Sequence, residues 1–316
     1  MKTKNILITG SSGFIGFHVS EFLLKKKINI IGLDNHNNYY DVSLKNKRLK
    51  ILKKFKNFKF YKVDISKKKD LKKVFEKNKI DLVIHLAAQA GVRYSFINPN
   101  KYIDSNITGF TNTLELMKKN KIKKLVYASS SSVYGNCKKF PFRENFDLSP
   151  LNFYGQTKLF NEKMVKIYEE NYNLKCIGLR FFTVYGPYGR PDMFIPKILN
   201  KIKSNKVINL FNAGKHSRDF TYVKDIAQLI GKIIIKFPKK EKVLNICSGE
   251  RIKISKLISC IEKILNKKIK TKALPLQRGD MLDTHGSNKL IKKLYNYKKL
   301  TSIYKGLNET IKHDYK

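Results

Sequence analysis

The stretch Asn5-Ile6-Leu7-Ile8-Thr9-Gly10-Ser11-Ser12-Gly13-Phe14-Ile15-Gly16 decides the fold. A short β-favouring run, a cluster of small residues and then helical apolar spacing over residues 18–26 read as strand, tight turn and helix in direct succession. Gly10, Gly13 and Gly16 stand at the turn, where glycine permits a sharp backbone path, close approach of backbone N–H groups to a pyrophosphate, and tight helix–strand packing. The start of the following helix offers unpaired N–H donors and the positive end of its dipole to phosphate. A glycine turn with no ligand is the bland alternative, and the 3-3 spacing differs from the 2-3 spacing of many simple dehydrogenases. Asp34 tips the balance, because it closes the next apolar run. A carboxylate there accepts hydrogen bonds from adenosine ribose hydroxyls and repels a 2′-phosphate. Asn35 and His36 follow it with no arginine, so NAD is expected rather than NADP.

Outward from this unit the chain alternates apolar runs (28–33, 59–63, 82–86, 124–128, 176–180) with amphipathic stretches, of which 101–120 and 153–172 read as long helices. That alternation predicts an α/β fold, a Rossmann-type doubly wound parallel sheet. Continuously apolar strands such as Leu82-Val83-Ile84 fit a sheet covered on both faces. The third run ends in Asp64-Ile65, where an acid can meet the adenine amino group. The fourth ends in Leu86-Ala87-Ala88-Gln89, whose small residues let backbone pass close to a cofactor. His85, inside that apolar run, reads as a packed core histidine rather than a ligand or base. After residue 186 the pattern loosens into loops, a helix over 195–202, short strands and a helix over 252–265, while 242–246 again reads as a buried sheet strand. The expected division is an NAD-binding domain over 1–180 and a smaller α/β C-terminal substrate domain over 181–316, with some elements interleaved.

The 316 residues include 66 Lys+Arg against 24 Asp+Glu, a formal net charge of +42. With 42% hydrophobic and 12% aromatic residues the chain has the means for a sizeable core, which excludes intrinsic disorder. No apolar run reaches the ~18–20 residues of a membrane span, and no secretory leader is visible. The four cysteines (137, 176, 247, 260) form no CxxC pair, which argues against a disulfide framework and a zinc site and fits a reducing, cytoplasmic location; no metal is expected. Taken alone, the charge suggests nucleic acid or an anionic membrane. Against that, the lysines are scattered through every segment beside abundant Asn and Ile, as AT-rich codons at tolerant surface sites would produce.

The central chemical signal is Tyr154-Gly155-Gln156-Thr157-Lys158. Residues four apart share a helix face, so the ammonium can sit near the phenol. Free tyrosine titrates near ~10, and a fixed positive charge favours its phenolate, making a general base at neutral pH. Upstream, Ser129-Ser130-Ser131-Ser132 follows a strand and offers hydroxyls to a substrate's reacting oxygen.

In this order the motifs resemble the extended short-chain dehydrogenases/reductases of the nucleotide-sugar epimerase/dehydratase group, and more narrowly the UDP-glucuronate 4-epimerases. The discriminating strings are Asp34-Asn35-His36-Asn37-Asn38-Tyr39-Tyr40-Asp41, the segment from His85 through Ala90-Gly91-Val92-Arg93-Tyr94-Ser95, and the segment from Leu179-Arg180-Phe181-Phe182-Thr183 to Gly189-Arg190-Pro191-Asp192-Met193. The resemblance implies a tightly held NAD, reduced and reoxidised within one turnover, and a UDP-sugar substrate. It implies Tyr154, Lys158 and Ser130 as catalytic residues, with Ser131 the second choice for the serine. On the cofactor side it adds Phe14, Ile15, Asn35, Asn106 and Phe181 to the residues above. On the substrate side it implies Arg93, Ser131, Ser132, Thr183, Arg218, Gln277, Arg278 and Asp280, with Arg190 as the clamp for a sugar carboxylate or, alternatively, a structural partner of Asp192.

Related dehydratases carry Asp-Glu after their catalytic threonine, where this chain has Ser131 and Ser132. Elimination then lacks its acid/base pair, and 4-epimerisation is expected. UDP-glucuronate is the first-choice sugar. UDP-N-acetylhexosamine or its uronic acid is the alternative, and a basic nucleic-acid-binding Rossmann protein is the non-enzyme one. A homodimer through the two long helices is implied by resemblance alone. The chain departs from the family pattern at Tyr188, at Phe194, and in Thr284-His285-Gly286-Ser287-Asn288, which lacks the Ala-Asp expected there.

Overall fold

A computed structural model of the protein describes residues 4–239, 242–275, 283–297 and 300–315. The chain runs β1 (Asn5–Thr9), α1 (Phe14–Lys25), β2 (Asn29–Asp34), α2 (Val42–Leu52), β3 (Phe58–Lys62), α3 (Lys68–Glu76), β4 (Leu82–His85), α4 (Tyr94–Ile97), α5 (Pro99–Tyr102), α6 (Gly109–Lys119), β5 (Lys124–Ser130), α7 (Phe153–Tyr172) and β6 (Lys175–Phe181). It continues through β7 (Thr183–Tyr185), α8 (Phe194–Lys203), β8 (Ile208–Phe211), β9 (Ser217–Tyr222), α9 (Val223–Ile235), β10 (Val243–Ile246), β11 (Arg251–Lys253), α10 (Ile254–Leu265), β12 (Thr271–Leu274), α11 (Lys289–Tyr295) and α12 (Ile303–Asp314).

The residues divide into two compact units, with one boundary at Arg180/Phe181 and two further segments interleaved across it. The first unit takes Met1–Cys137, Asp147–Arg180 and Ala227–Leu244; the second takes Lys138–Phe146, Phe181–Ile226 and Asn245–Lys316. Phe142 explains the displaced segment. Its N–H donates to His285 O at 2.7 Å, and its carbonyl accepts from Ser287 N at 2.8 Å and Asn245 Nδ2 at 2.9 Å. Two of these bonds join backbone to backbone and the third comes from a single asparagine amide, so no side-chain motif announces them.

The seven-stranded Rossmann-type sheet has the order β10-β6-β5-β4-β1-β2-β3, with parallel pairing from β5 through β4, β1 and β2 to β3. Ile6, Leu7 and Ile8, whose side chains alternate between the faces of β1, are all fully buried, so the central strand is apolar on both faces. Around it Leu33, Leu71, Phe110, Leu114 and Leu125 are buried in one cluster. Each such side chain contributes on the order of 1.5–3 kcal/mol of apolar burial.

The helix expected over 101–120 starts earlier, at Pro99, where a missing N–H costs nothing, and widens into a π-helical turn at Ile103–Thr108 before α6. Helix α9 is absent from the sequence expectations. Its buried residues Ile226, Leu229, Ile230, Ile233 and Ile234 recur at helical spacing, with Lys224, Gln228 and Lys232 exposed between them, so the period was present in the sequence.

The second unit is also α/β. A three-stranded sheet, β11-β9-β7, pairs β7 with β9 in parallel and β9 with β11 antiparallel, and β8 pairs with β12 in parallel. Its core gathers Ile195, Ile198 and Leu199 of α8, Leu257 and Ile261 of α10, and Leu307 and Ile311 of α12.

Candidate active site

The turn between β1 and α1 is a cradle that only glycine fits. Gly10 has φ +71°, and a Cβ there would lie 2.8 Å from Ala87 N; at Gly16 it would lie 2.0 Å from Gly10 O. Phe14 is buried and Ile15 half-buried in the first turn of α1, whose N-terminus no side chain caps. Asp34 is buried at the end of β2, accepts from His36 N at 2.9 Å and lies 3.9 Å from the ammonium of Lys45. Lys45, missed by motif reading, is itself buried and donates to the carbonyl and the side-chain oxygen of Asn37 at 3.0 and 2.9 Å. Asn35 Nδ2 donates to Asp64 Oδ2 at 2.9 Å, which ties the loop after β2 to the acid that follows β3. Burial pushes the Asp64 carboxyl up, but hydrogen bonds from Asn35 and Ser66 outweigh it and hold the group below its usual range. Ile65 is buried against Gly109. A cavity of about 320 Å³ borders Asn35, Asp64 and Gln89.

The loop after β4 is tied to the catalytic-motif helix through one side chain. Leu86 and Ala88 are half-buried there, and Ala87 N donates to Thr9 Oγ1 at 3.1 Å. Asn106, in the π-helical turn, accepts from Gln89 N at 2.8 Å and donates from Nδ2 to Gln89 O and Thr157 Oγ1, both at 3.0 Å. Asn161 Nδ2 then donates to Asn106 O at 2.6 Å. The wide turn thus turns Asn106 inward, where its side chain binds the β4 loop to α7.

Tyr154 and Lys158 sit one turn apart on α7, beside the serine turn. Lys158 is buried and donates to Ala128 O on β5 at 2.9 Å, and burial pushes its ammonium down to about 8. Ser130 Oγ, two residues on, accepts from Ser132 N at 3.1 Å, and Ser131 and Ser132 begin a short 3-10 turn. Gly155 sets the approach: a Cβ there would lie 2.8 Å from Ser132 O and 2.9 Å from Pro150 Cβ. The structure therefore packs the turn of α7 that carries Tyr154 and Lys158 against the end of β5 that carries Ser130. His85 is a core residue as expected, edge-on to Phe110 with ring centroids 5.1 Å apart; burial, and then the charge of Lys158, lower it to about 3.

Beneath this group lies an ion pair that motif reading missed. Glu162, one turn beyond Lys158, accepts from Arg180 Nε at 3.0 Å and Nη2 at 2.8 Å, and from Ser129 Oγ; Arg180 Nη1 also donates to Tyr134 OH at 2.9 Å. Burial works against the Arg180 guanidinium, but the bonds and charge of Glu162 hold it above its ordinary range. The i, i+4, i+8 spacing of Tyr154, Lys158 and Glu162 was the available signal.

The remaining candidates are dispersed. Arg93 is exposed just before α4, and Phe181 is buried at the end of β6. In the second unit Thr183 opens β7, half-buried. Arg190, expected as a carboxylate clamp, has its fork on Asp192, with Nε–Oδ1 at 3.0 Å and Nη2–Oδ2 at 2.7 Å; the structural alternative describes this geometry. Arg218 lies on β9 with Nη1 donating to Ser217 O at 2.9 Å. Gln277, Arg278 and Asp280 fall outside the described residues. Asp219, unflagged by motif reading, is fully buried and accepts from Ser248 N and Oγ, both at 2.7 Å, Gly249 N at 3.0 Å and Gly286 N at 3.3 Å. Within the departing segment 284–288, a Cβ at Gly286 would lie 2.6 Å from both Cys247 Sγ and Phe182 Cζ.

A glycine-cradled Rossmann unit with Ser, Tyr and Lys gathered at the end of its fifth strand has the architecture of an extended short-chain dehydrogenase/reductase. Residues 6–247 match the NAD dependent epimerase/dehydratase family, and the chain belongs to it. It is 44% identical over 307 residues to a UDP-glucuronate 4-epimerase of Thermodesulfobacterium geofontis, covering 96% of this chain and 94% of that one. Its structure is similar to that of a UDP-glucuronic acid 4-epimerase from Bacillus cereus in complex with UDP-glucuronic acid and NAD (TM-score 0.91, 33% identity, 98% of each chain). It is also similar to a UDP-N-acetylglucosamine 4-epimerase from Methanobrevibacter ruminantium M1 in complex with UDP-N-acetylmuramic acid (TM-score 0.89, 29% identity, 99% of this chain and 98% of that one).

Proposed function

We propose that the protein is an NAD-dependent 4-epimerase of a UDP-sugar, interconverting UDP-glucuronate and UDP-galacturonate through a 4-keto sugar. The observation that carries this reading is the Tyr154–Lys158 pair set against a serine turn that has Ser131 and Ser132, not carboxylates, after Ser130. The Gly10–Gly16 cradle fits a dinucleotide, because a side chain at either position would fill the space backbone needs. Phe14, Ile15, Asp34, Asn35, Asp64, Ile65, the Leu86–Gln89 loop, Asn106 and Phe181 are assigned to its hold. When bound, NAD supplies a hydride acceptor that also returns the hydride.

The protein's own residues do the rest. Tyr154 takes the proton of the sugar 4-hydroxyl and gives it back when the carbonyl is reduced from the other face. Ser130 donates a hydrogen bond to the same oxygen. Lys158, with its ammonium at about 8, is charged at neutral pH and stabilises the phenolate electrostatically. Ser131, Ser132, Arg93, Thr183, Arg218, Gln277, Arg278 and Asp280 are assigned to the substrate on family resemblance. Arg190 is assigned to the sugar carboxylate, which must then displace Asp192 from its fork.

Ile103 of the π-helical turn and Phe160, Ile167 and Tyr172 of α7 are exposed apolar side chains, which supports a homodimer through these helices. The free cysteines, and the lack among the described residues of a helix long and apolar enough to span a membrane, support a cytoplasmic location. The +42 charge is read as surface composition, not as a nucleic-acid footprint. The similarity to the UDP-N-acetylglucosamine 4-epimerase favours a UDP-N-acetylhexosamine as the second reading. The test incubates purified protein with a panel of UDP-sugars without added nucleotide and separates the 4-epimers by chromatography. UDP-glucuronate turning over fastest is expected; faster conversion of UDP-N-acetylglucosamine would establish the second reading, and conversion of none would overturn both.

A further inference from the structure

The string Asn35-His36-Asn37-Asn38-Tyr39-Tyr40-Asp41 is far longer than ribose recognition at Asp34 needs, and the structure shows what it does. It is a strap fastened along its length. His36 Nε2 pairs with Ser12 Oγ at 2.9 Å, Asn37 N donates to Asn35 Oδ1 at 3.0 Å, and Lys45 grips both oxygens of Asn37. Arg48 Nη1 donates to Tyr40 OH at 2.7 Å and to Ser12 O in the glycine turn at 3.0 Å; Asp41 caps α2 through Ser43 N at 2.8 Å. So anchored, the strap presents the Tyr39 ring to Tyr94 of α4, with centroids 4.9 Å apart.

Tyr94 is backed in turn. Its ring lies 6.3 Å from that of Tyr102, which is fully buried and donates its hydroxyl to Ala90 O at 3.1 Å and to Gly91 O. The Tyr102 ring meets Tyr154 at 6.1 Å. Tyr39 and Tyr94 both line the 320 Å³ cavity that also borders Asn35, Asp64 and Gln89. Two segments from opposite sides of the sheet's switch point thus meet, ring to ring, at the wall of the cavity where the adenosine-side residues lie.

We propose that the Tyr39–Tyr94 pair is a clasp that retains the dinucleotide between turnovers. This rests on the NAD reading of the site. A cofactor reduced and reoxidised in one cycle needs no exit, so a contact that slows its release serves this chemistry. An offset or tilted ring pair adds about 0.5–1.5 kcal/mol beyond its area, equivalent to about two- to tenfold in dissociation rate.

The test uses holoprotein as purified, measuring NAD per chain after acid release and the rate of NAD loss on dilution into a trap. Tyr39→Leu and Tyr94→Leu are expected to release NAD about two- to tenfold faster, with the double variant no faster than either and Tyr94→Phe like the wild type. Melting temperatures of the stripped proteins report whether each variant folds, and Tyr94→Phe keeps the comparison within a near-native chain. Unchanged release from the leucine variants, or additive effects in the double, would overturn the clasp while wild-type NAD content upheld the cofactor reading. Wild-type protein that neither carries nor binds NAD would overturn both.

Discussion

Replacing Lys158 by methionine should remove turnover and yet leave the NAD-free fold at least as stable at neutral pH. The ammonium is almost fully buried, and burial brings it from 10.5 to about 8. At about 1.4 kcal/mol per unit, holding that charge in the folded state costs about 3 kcal/mol at pH 7. Methionine removes this cost but leaves Ala128 O without its 2.9 Å donor, a loss of about 1–3 kcal/mol. The net advantage of Lys158→Met at pH 7 is therefore about 0–2 kcal/mol.

The pH dependence is the sharper test. In the unfolded chain the lysine keeps its proton to about 10.4, while in the folded chain it is released near 8. Between these values the unfolded state binds more protons, so wild-type stability gains up to about 1.4 kcal/mol per pH unit relative to the variant. The advantage should shrink from pH 8 upward and reverse by pH 10, where the neutral amine still bonds to the carbonyl. Urea denaturation of both proteins at pH 7, 8, 9 and 10 reads this directly. A wild-type-minus-variant difference that stays constant across the series would refute the buried-ammonium account.

Tyr154→Phe should keep bound NAD, read by its release on denaturation, while UDP-sugar turnover falls by about 10²–10⁴ for lack of a general base. Glu162→Gln leaves the Arg180 guanidinium buried without a counter-charge, with side chains 4% and 8% exposed in the pair, and should lower urea stability by about 3–5 kcal/mol. Gly286→Ala should destabilise by about 1–3 kcal/mol, because its Cβ would meet Cys247 Sγ and Phe182 Cζ. Adding Cys247→Ala should recover part of that loss in the melting temperature, since it clears one of the two clashes.

What the sequence disclosed and what it withheld divide along a physical line. The β1–turn–α1 unit, Asp34 and the Tyr154–Lys158 pair were legible because each function demands a residue type at a fixed local spacing. Helix α7 spans Phe153–Tyr172 as its periodicity predicts. The Glu162–Arg180 pair, the Lys45–Asp34 approach and the buried Asp219 were not legible, because their partners lie on elements whose juxtaposition only the tertiary fold creates. Arg190 marks the limit of motif reading in another way. Its position was noted, but that its fork lies on Asp192 depends on loop geometry that the sequence does not encode locally. Sequence periodicity also assigned 101–120 a regular helix, since nothing in its pattern distinguishes the π-helical turn that carries Asn106.

The broken segmentation of the two units bears on how the chain is made. The first unit's outer strand, β10, begins at Val243, and residues 138–146 wait for partners at 245 and 285–287. Synthesis runs from the N-terminus at about 5–20 residues per second, so the nascent sheet spends on the order of ten seconds with β6 as a bare edge. A gene fragment ending at Arg180 would encode neither unit whole. Recombination after Arg180 would therefore deliver two chains, each carrying an incomplete set of segments for both units.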